Sequence, residues 1–304
     1  MSRSGVVARR IDLELVRVLA CLGIVYFHSG VLAGVSSNLA YSGLAYFILI
    51  TIFFVNRNKT AFSAAKAVAR KVWPSFVFWS AVYIVLGVVI ARKDLQSYLS
   101  LTTLVTGGSI HLWYLPFIVL AVAAATAAAR LMQPRVLFVV TVVGYFGWLV
   151  SSIVWRDWIE GYPLPLPQYF HGAGAVLLAL LLMSGAGLVR YLCLFASLVL
   201  CLLVTIEGEP GVGVVYSVMT LMGLLVVRKR DLMPELTQLR PAVIALSSLT
   251  FGIYLVHPLF LSVASRLGLG DMSLMPFVAF IGSAVFVQVF LLLMPIATHR
   301  LVKA

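Results

Sequence analysis

Three ionisable residues in the first apolar segment have the types and the spacing of a chemical site. Arg17 and His28 are eleven residues apart, which is close to three turns of an α-helix, so both side chains share one face about 16 Å apart. Glu14, one turn before Arg17, can pair with its guanidinium. Ionisable residues in hydrocarbon are costly and mark substrate or proton sites, and an imidazole suits proton transfer near neutral pH. The alternative is an interior histidine with a satisfied hydrogen bond and an arginine that extends its charge to the membrane surface.

The composition indicates which elements must position these residues. Of 304 residues, 62% are apolar and 11% are charged, and the mean hydropathy is +1.07, whereas soluble domains carry about 25% charged residues. The chain is therefore predicted to be an all-α, polytopic membrane protein. Ten apolar segments are long enough to span a bilayer as helices. These segments are 11–33, 39–55, 72–91, 111–130, 136–155, 169–184, 190–206, 212–227, 242–264 and 274–297.

The distribution of Lys and Arg predicts the orientation of the segments. The formal net charge is +12, and most basic residues fall into the two termini and into alternate loops, which the positive-inside rule assigns to the cytoplasm. Ten spans keep both termini on that side, and the expected location is the plasma (inner) membrane. Because topology accounts for the basic excess, no nucleic-acid partner is expected.

Two loops are predicted to have structure of their own. Residues 56–71 are basic and rich in Ala, with apolar and basic positions at helical spacing, which predicts an interfacial amphipathic helix on the cytoplasmic face. Residues 155–167 contain alternating prolines, which predicts an extended, non-helical cover on the outer face.

Aromatic and histidine side chains in two other segments are candidates for a cavity wall. His111, Trp113 and Tyr114 begin the fourth segment on the predicted outer side, where the alternative is an aromatic belt. Tyr254 and His257 are one turn apart in the ninth segment, where the alternative is a His-Pro kink with a local hydrogen bond. The sequence has no P-loop, no glycine-rich dinucleotide fingerprint and no Cys/His metal spacing, so neither nucleotide hydrolysis nor a metal site is expected.

Three stretches of the sequence resemble the acyltransferase-3 family of membrane enzymes. The first segment holds an acid, an Arg three residues later and a His eleven residues after that, at Glu14, Arg17 and His28. The other two stretches are HLWYLP at the start of the fourth segment and FGIYLVHP in the ninth. The resemblance covers most of the chain and implies one transmembrane acyltransferase domain over residues 1–304. The second segment departs from the family, because IFFV runs into NRNK where members often have a Phe-rich stretch ending in Ser-Gly.

The resemblance implies transfer of an acyl group, commonly acetyl from acetyl-CoA, to a hydroxyl of a sugar, a lipid-linked sugar or an envelope glycan. His28 would act as general base or accept the acyl group itself, and Arg17, held by Glu14, would bind a phosphate or polarise the thioester carbonyl. Cytoplasmic cations would bind the nucleotide of acyl-CoA, although loops that face anionic lipid have the same composition. These cations are Arg17, Arg57, Lys66, Arg70 and Lys71. The residues implied for the acceptor are His111, Trp113, Tyr114, Tyr254 and His257.

A protein of another class would use the same residues differently. In a small secondary transporter or flippase, Arg17 and His28 would form an intramembrane substrate or proton site. Transporters of this size usually have broken helices at corresponding places in two halves, and this sequence shows no such repeat. The partners expected of the enzyme are the lipid bilayer and the acceptor, and a homo-oligomer stays open.

Overall fold

Helices account for the regular structure of the chain in the computed structural model. The structure describes residues 9–55, 59–228, 231–233, 238–270 and 272–303. Within these ranges there are twelve α-helices and no strand, which confirms the all-α prediction. The helices are α1 Ile11–Ser29, α2 Gly34–Phe53, α3 Ala61–Val89, α4 Leu101–Thr106, α5 Tyr114–Leu131, α6 Pro134–Val150, α7 Ser152–Glu160, α8 Leu166–Ser184, α9 Gly187–Ile206, α10 Pro210–Val227, α11 Arg240–Ala264 and α12 Met275–Leu293.

The apolar helices make this a multi-pass membrane protein. Of the described helices, eight are long and apolar enough to cross a membrane, or nine if the bent pair α6 and α7 forms one span. Helix α1 covers the first predicted segment, but it carries Asp12, Glu14 and Arg17 and is not among the eight. The number of ten spans and the cytoplasmic position of both termini stay predictions.

The start of α1 is fixed by a residue that is distant in sequence. Arg10 provides no side-chain cap to the helix, and the carboxylate of Asp231 instead accepts hydrogen bonds from Ile11 N at 2.7 Å and Asp12 N at 3.3 Å. An anion at this end also complements the helix dipole. The Arg10 guanidinium in turn contacts the Asp12 carboxylate at 2.6 Å. The chain segment after α10 therefore holds the beginning of α1.

Small residues bring α1 and α2 into backbone contact. An ideal Cβ atom on Gly43 would lie 2.2 Å from the carbonyl oxygen of Ala20, and one on Gly23 would lie 2.8 Å from that of Ala40. Small residues allow this approach between helices in a membrane, where packing drives association. The contact sets the position of α1, and therefore of His28, against α2. Helix α1 also packs against α11 and α12.

The interfacial helix predicted at residues 56–71 is not a separate helix, because its described helical part is the beginning of α3. This helix runs without a break over 29 residues and contains Pro74, so its basic first turns and the apolar span are one element. Thr60 caps it by accepting a hydrogen bond from Ser63 N at 3.1 Å. The proline removes one backbone hydrogen bond, whereas a helix in lipid satisfies all the others internally. Residues 56–58 lie outside the described part of the chain.

The prediction that residues 155–167 are extended is wrong for their first half. Helix α7 covers Ser152–Glu160 and is bent by 68° from α6. Trp155 and Ile159, one turn apart, are both buried, which gives α7 an apolar face. The prolines begin only after α7, and Pro167 lies in the first turn of α8, where its missing N–H is not needed.

Candidate active site

A cavity of about 650 Å³ opens at the C-terminal end of α1, a volume typical of small-molecule sites. Its walls come from α1, α2, α7, α8, α10, α11 and the 3₁₀ turn Ile110–Trp113. The side chains with polar atoms that line it are His28, Asn38, Tyr41, His111, Trp113, Arg156, Glu160, Tyr162, Gln168, His171 and Tyr254.

Three histidines from three separate elements form a cluster, in which His28 and His111 line the cavity and His257 lies buried beside them. The ring centroids of His28 and His257 are 5.2 Å apart, those of His111 and His257 5.4 Å, and those of His28 and His111 6.3 Å. His28 lies in the last turn of α1, which ends at Gly30 in the left-handed conformation with φ 71°. Among the described residues, no group of three or more His, Cys, Asp or Glu side chains is placed to hold a metal ion.

Two hydrogen bonds fix the ring of His111. Its Nε2 lies 3.3 Å from the carbonyl oxygen of Leu255, and its Nδ1 lies 2.9 Å from Ser109 Oγ. Because a carbonyl only accepts, the neutral ring carries its hydrogen on Nε2 and accepts the Ser109 hydroxyl at Nδ1. The hydroxyl of Tyr254 also donates to the backbone carbonyl of His111. His111 is therefore a rigid wall residue without a free nitrogen.

The bonding of His257 follows from the proline after it. Pro258 has no N–H, so the helical hydrogen bond to the carbonyl of Tyr254 is missing. The Nδ1–H of His257 donates to this carbonyl at 2.7 Å, which leaves Nε2 of the neutral ring as an acceptor. This Nε2 atom is buried, and no described residue bonds to it. His257 therefore adds an unpaired acceptor to the histidine cluster.

His28 differs from the other two histidines in its bonding. No described residue forms a hydrogen bond with its ring, which packs edge-on against Phe27 at 5.3 Å. The ring also lines the cavity. Both of its nitrogens are therefore available to a bound molecule or to the Nε2 atom of His257.

The predicted pair of Glu14 and Arg17 is confirmed. Arg17 Nη1 lies 3.2 Å from Glu14 Oε2, and Ser247 Oγ donates to the same carboxylate at 2.5 Å. Arg9 Nη1 lies 3.8 Å from the other carboxylate oxygen. Three groups thus surround the buried carboxylate. Arg17 itself is not part of the cavity lining.

The predicted acceptor residues of the fourth segment occupy different positions. Trp113 lines the cavity and packs against Phe117 and Tyr169, with ring centroids 5.4 and 5.7 Å away. Tyr114 lies beside Tyr254 at 5.7 Å but is absent from the lining. Trp113 can therefore contact a bound molecule directly, whereas Tyr114 supports Tyr254.

The predicted donor cations lie apart from the histidines. Lys66, Arg70 and Lys71 are exposed on the first turns of α3 and do not line the cavity. Lys66 Nζ lies 5.6 Å from the centroid of the Phe62 ring. Arg57 falls outside the described residues.

A comparison with protein families decides what kind of protein carries this cavity. The model of the acyltransferase-3 family, described as an acyltransferase domain, matches residues 10–294. The chain belongs to the acyltransferase-3 family. No curated protein and no solved structure gives a significant match. The protein is therefore a membrane acyltransferase that uses an acyl donor and an acceptor in a lipid bilayer, and a transporter is not favoured.

Several lining residues of this acyltransferase were not among the site residues predicted from the sequence. Arg156 and Glu160 have the i,i+4 spacing of a helical ion pair, but the prolines that follow suggested an extended segment. Gln168 and His171 stand in the first turns of α8, and a single polar residue at a helix start carries no signal of its own. The cavity brings all four together with His28.

Proposed function

We propose that this acyltransferase moves an acyl group, acetyl from acetyl-CoA, to a hydroxyl of a sugar, a lipid-linked sugar or an envelope glycan, with His28 as general base. The observation that supports this role is the His28 ring, which lines the cavity without a hydrogen bond from any described residue. The proposal includes residues 1–304 as one transmembrane domain in the plasma (inner) membrane.

The transfer needs a proton acceptor beside the attacking hydroxyl. His28 takes the hydroxyl proton while the oxygen bonds to the acyl carbon and the carbon–sulfur bond breaks, and it then returns the proton to the leaving thiolate. The unpaired Nε2 of His257, in a ring 5.2 Å from that of His28, is suited to accept an N–H of His28 and to orient it. Acceptance of the acyl group by His28 is the alternative route.

Arg17 is proposed to bind a phosphate of acyl-CoA or to polarise the thioester carbonyl. Its side chain is 32% exposed although it pairs with Glu14, so part of the guanidinium is free for an anion. The contacts of Glu14 with Arg17 and Ser247 make the carboxylate a positioning group for this arginine.

The two substrates are proposed to approach from different sides. The donor nucleotide binds among the exposed cations at the N-terminal end of α3. The acceptor enters the cavity from the side on which α7 lies. The cations are Arg17, Arg57, Lys66, Arg70 and Lys71, of which the described ones on α3 are exposed. The acceptor residues are His111, Trp113, Tyr114, Tyr254 and His257, which pack around one another.

Release of CoA from acetyl-CoA by the purified protein, followed with a thiol reagent, tests the proposal. His28→Ala should lower the rate by at least about 10², the lower limit for positioned proton transfer, while the protein stays folded because no buried charge is left behind. The matched control is His299→Ala, since His299 is a partly exposed histidine outside the cavity. Equal rates for both variants would contradict the assignment of His28 as the base. If the wild type releases no CoA, the proposed transfer from acetyl-CoA fails and the transporter becomes the favoured explanation.

Separate measurements of the two substrates test the two-sided arrangement. Arg17→Ala and Arg70→Ala should raise the KM for acyl-CoA, whereas Trp113→Ala should impair use of the acceptor and leave the donor KM unchanged. If Trp113→Ala weakens donor binding as much as Arg17→Ala does, both substrates share one entrance.

A further inference from the structure

A second polar group of the cavity wall contains two atoms without a partner. Gln168 Oε1 and His171 Nδ1 are buried, and no described residue bonds to either. Both side chains line the same cavity as His28. Buried polar atoms are nearly always hydrogen-bonded, so two orphans in one cavity wall call for an explanation.

The chemistry of these atoms limits what can satisfy them. An amide oxygen only accepts, so the partner of Gln168 Oε1 must bring an N–H or O–H donor. The imidazole nitrogen of His171 donates or accepts according to its tautomer. A hydroxyl group both donates and accepts and therefore matches both atoms, whereas a deprotonated phosphate or carboxylate offers the unpaired Oε1 atom no donor.

The charges around these residues also disfavour an anion. Arg156 is bonded to Glu160 at 3.0 Å and to Glu209 at 2.7 Å, so two carboxylates share one guanidinium. Arg156 is the one Lys or Arg in the described lining of the cavity. No unpaired cation is thus present there to neutralise an acidic ligand, which would meet a net negative group.

The position of His171 is built into the packing of α8. The hydroxyl of Tyr216 donates to its backbone carbonyl. Its ring meets the ring of Trp155 at 5.1 Å and that of Tyr41 at 6.4 Å, both edge to face. A ring held in this way is prepared for binding before a ligand arrives, which reduces the entropy cost of recognition.

We propose that Gln168 and His171 form a subsite for an uncharged, hydroxyl-bearing ring, such as a neutral sugar, and discriminate against acidic sugars. The identification of this ring as the acyl acceptor rests on the proposed function. The subsite lies outside the three-histidine cluster and uses residues with no role in proton transfer.

Direct binding in lipid nanodiscs, without sugar detergents, tests the subsite independently of transfer. Saturation-transfer NMR would compare the methyl glycosides of glucose, galactose and mannose with methyl glucuronide. We expect at least one neutral glycoside to bind, and the glucuronide to bind about tenfold more weakly or not at all. Gln168→Leu and His171→Phe should each weaken the binding of the neutral glycoside by about tenfold. Gln288→Leu, a change of the same kind on the exposed face of α12, should have no effect.

Thermal unfolding separates a binding role from a structural one. Because Gln168→Leu removes an unpaired buried oxygen, the melting temperature should stay constant or rise while binding falls. The proposal is overturned if none of the neutral glycosides binds, if the glucuronide binds equally well, or if Gln168→Leu loses no more binding than Gln288→Leu. If the wild type binds glycosides but transfers no acyl group, the subsite stands and the proposed function fails.

Discussion

Gly43→Ala is expected to damage both stability and transfer, because it places a methyl group in the contact between α1 and α2. The new Cβ would lie 2.2 Å from the carbonyl oxygen of Ala20, and its other close neighbours are also backbone atoms of Ala20, so no side chain can move aside. Real Cβ atoms essentially never come closer than 3.0 Å to another heavy atom. The two helices must therefore separate by about 1 Å.

The size of both effects follows from this displacement. Overpacking of a well-packed contact costs about 1–3 kcal/mol, so we expect Gly43→Ala to lower the free energy of unfolding by about 2 kcal/mol. Helix α1 carries His28 about two turns beyond Ala20, and its ring must keep its place beside His257. A misplacement of about 1 Å costs roughly 10² in rate, so CoA release should fall by about that factor.

Gly147→Ala on α6 is the matched control. A Cβ atom there meets nothing within 4 Å, so the substitution should leave transfer unchanged and stabilise the helix by about 0.5–1 kcal/mol. Denaturant unfolding in mild detergent measures stability, and CoA release measures transfer. If Gly43→Ala behaves like Gly147→Ala in both assays, the backbone contact does not position α1 and the reasoning is refuted.

Three further outcomes are expected. Partial burial raises the pKa of Asp231, but backbone N–H donors outweigh it and leave the pKa below its usual value. The wild type should therefore have a higher melting temperature than Asp231→Asn above about pH 4, and this difference should disappear as the pH falls further. A difference that stays constant with pH would contradict this. Pro258→Ala restores an N–H that competes with His257 for the same carbonyl, so transfer should fall about tenfold in a protein that remains folded, and an unchanged kcat would count against the bond. In cells, an impermeant maleimide should label Asp157→Cys but not Lys303→Cys, and the reverse would overturn the ten-span topology.

The extent of the helices could be read from the sequence where apolar runs are bounded by clear signals. The segments predicted at 169–184 and 212–227 correspond closely to α8 and α10, since each helix has a proline in its first turn. The prediction failed where a local signal was given too much weight. The basic residues before residue 72 belong to the same helix as the apolar span, α3, and the prolines after residue 160 do not prevent α7.

The candidate site was predictable to the extent that residue type alone indicates function. His28, His111, Trp113 and Tyr254 line one cavity, as expected of a shared acceptor site. Their bonding could not be predicted, because it depends on contacts between segments far apart in sequence. The ion pair of Arg156 with Glu209 is a further example, since Arg156 lies on α7 and Glu209 immediately before α10.

The two interpretations of His257 show how a local pattern and a distant contact combine. In the sequence analysis, a His-Pro kink with a local hydrogen bond was the alternative to a role in the cavity. The structure combines the two: Nδ1 of His257 donates to the Tyr254 carbonyl, and the ring centroids of His257 and His28 are 5.2 Å apart. The local bond settles which nitrogen of the neutral ring keeps its lone pair. The proline that frees the carbonyl therefore determines what His257 can offer to His28, and a residue with no polar side chain is part of the chemistry.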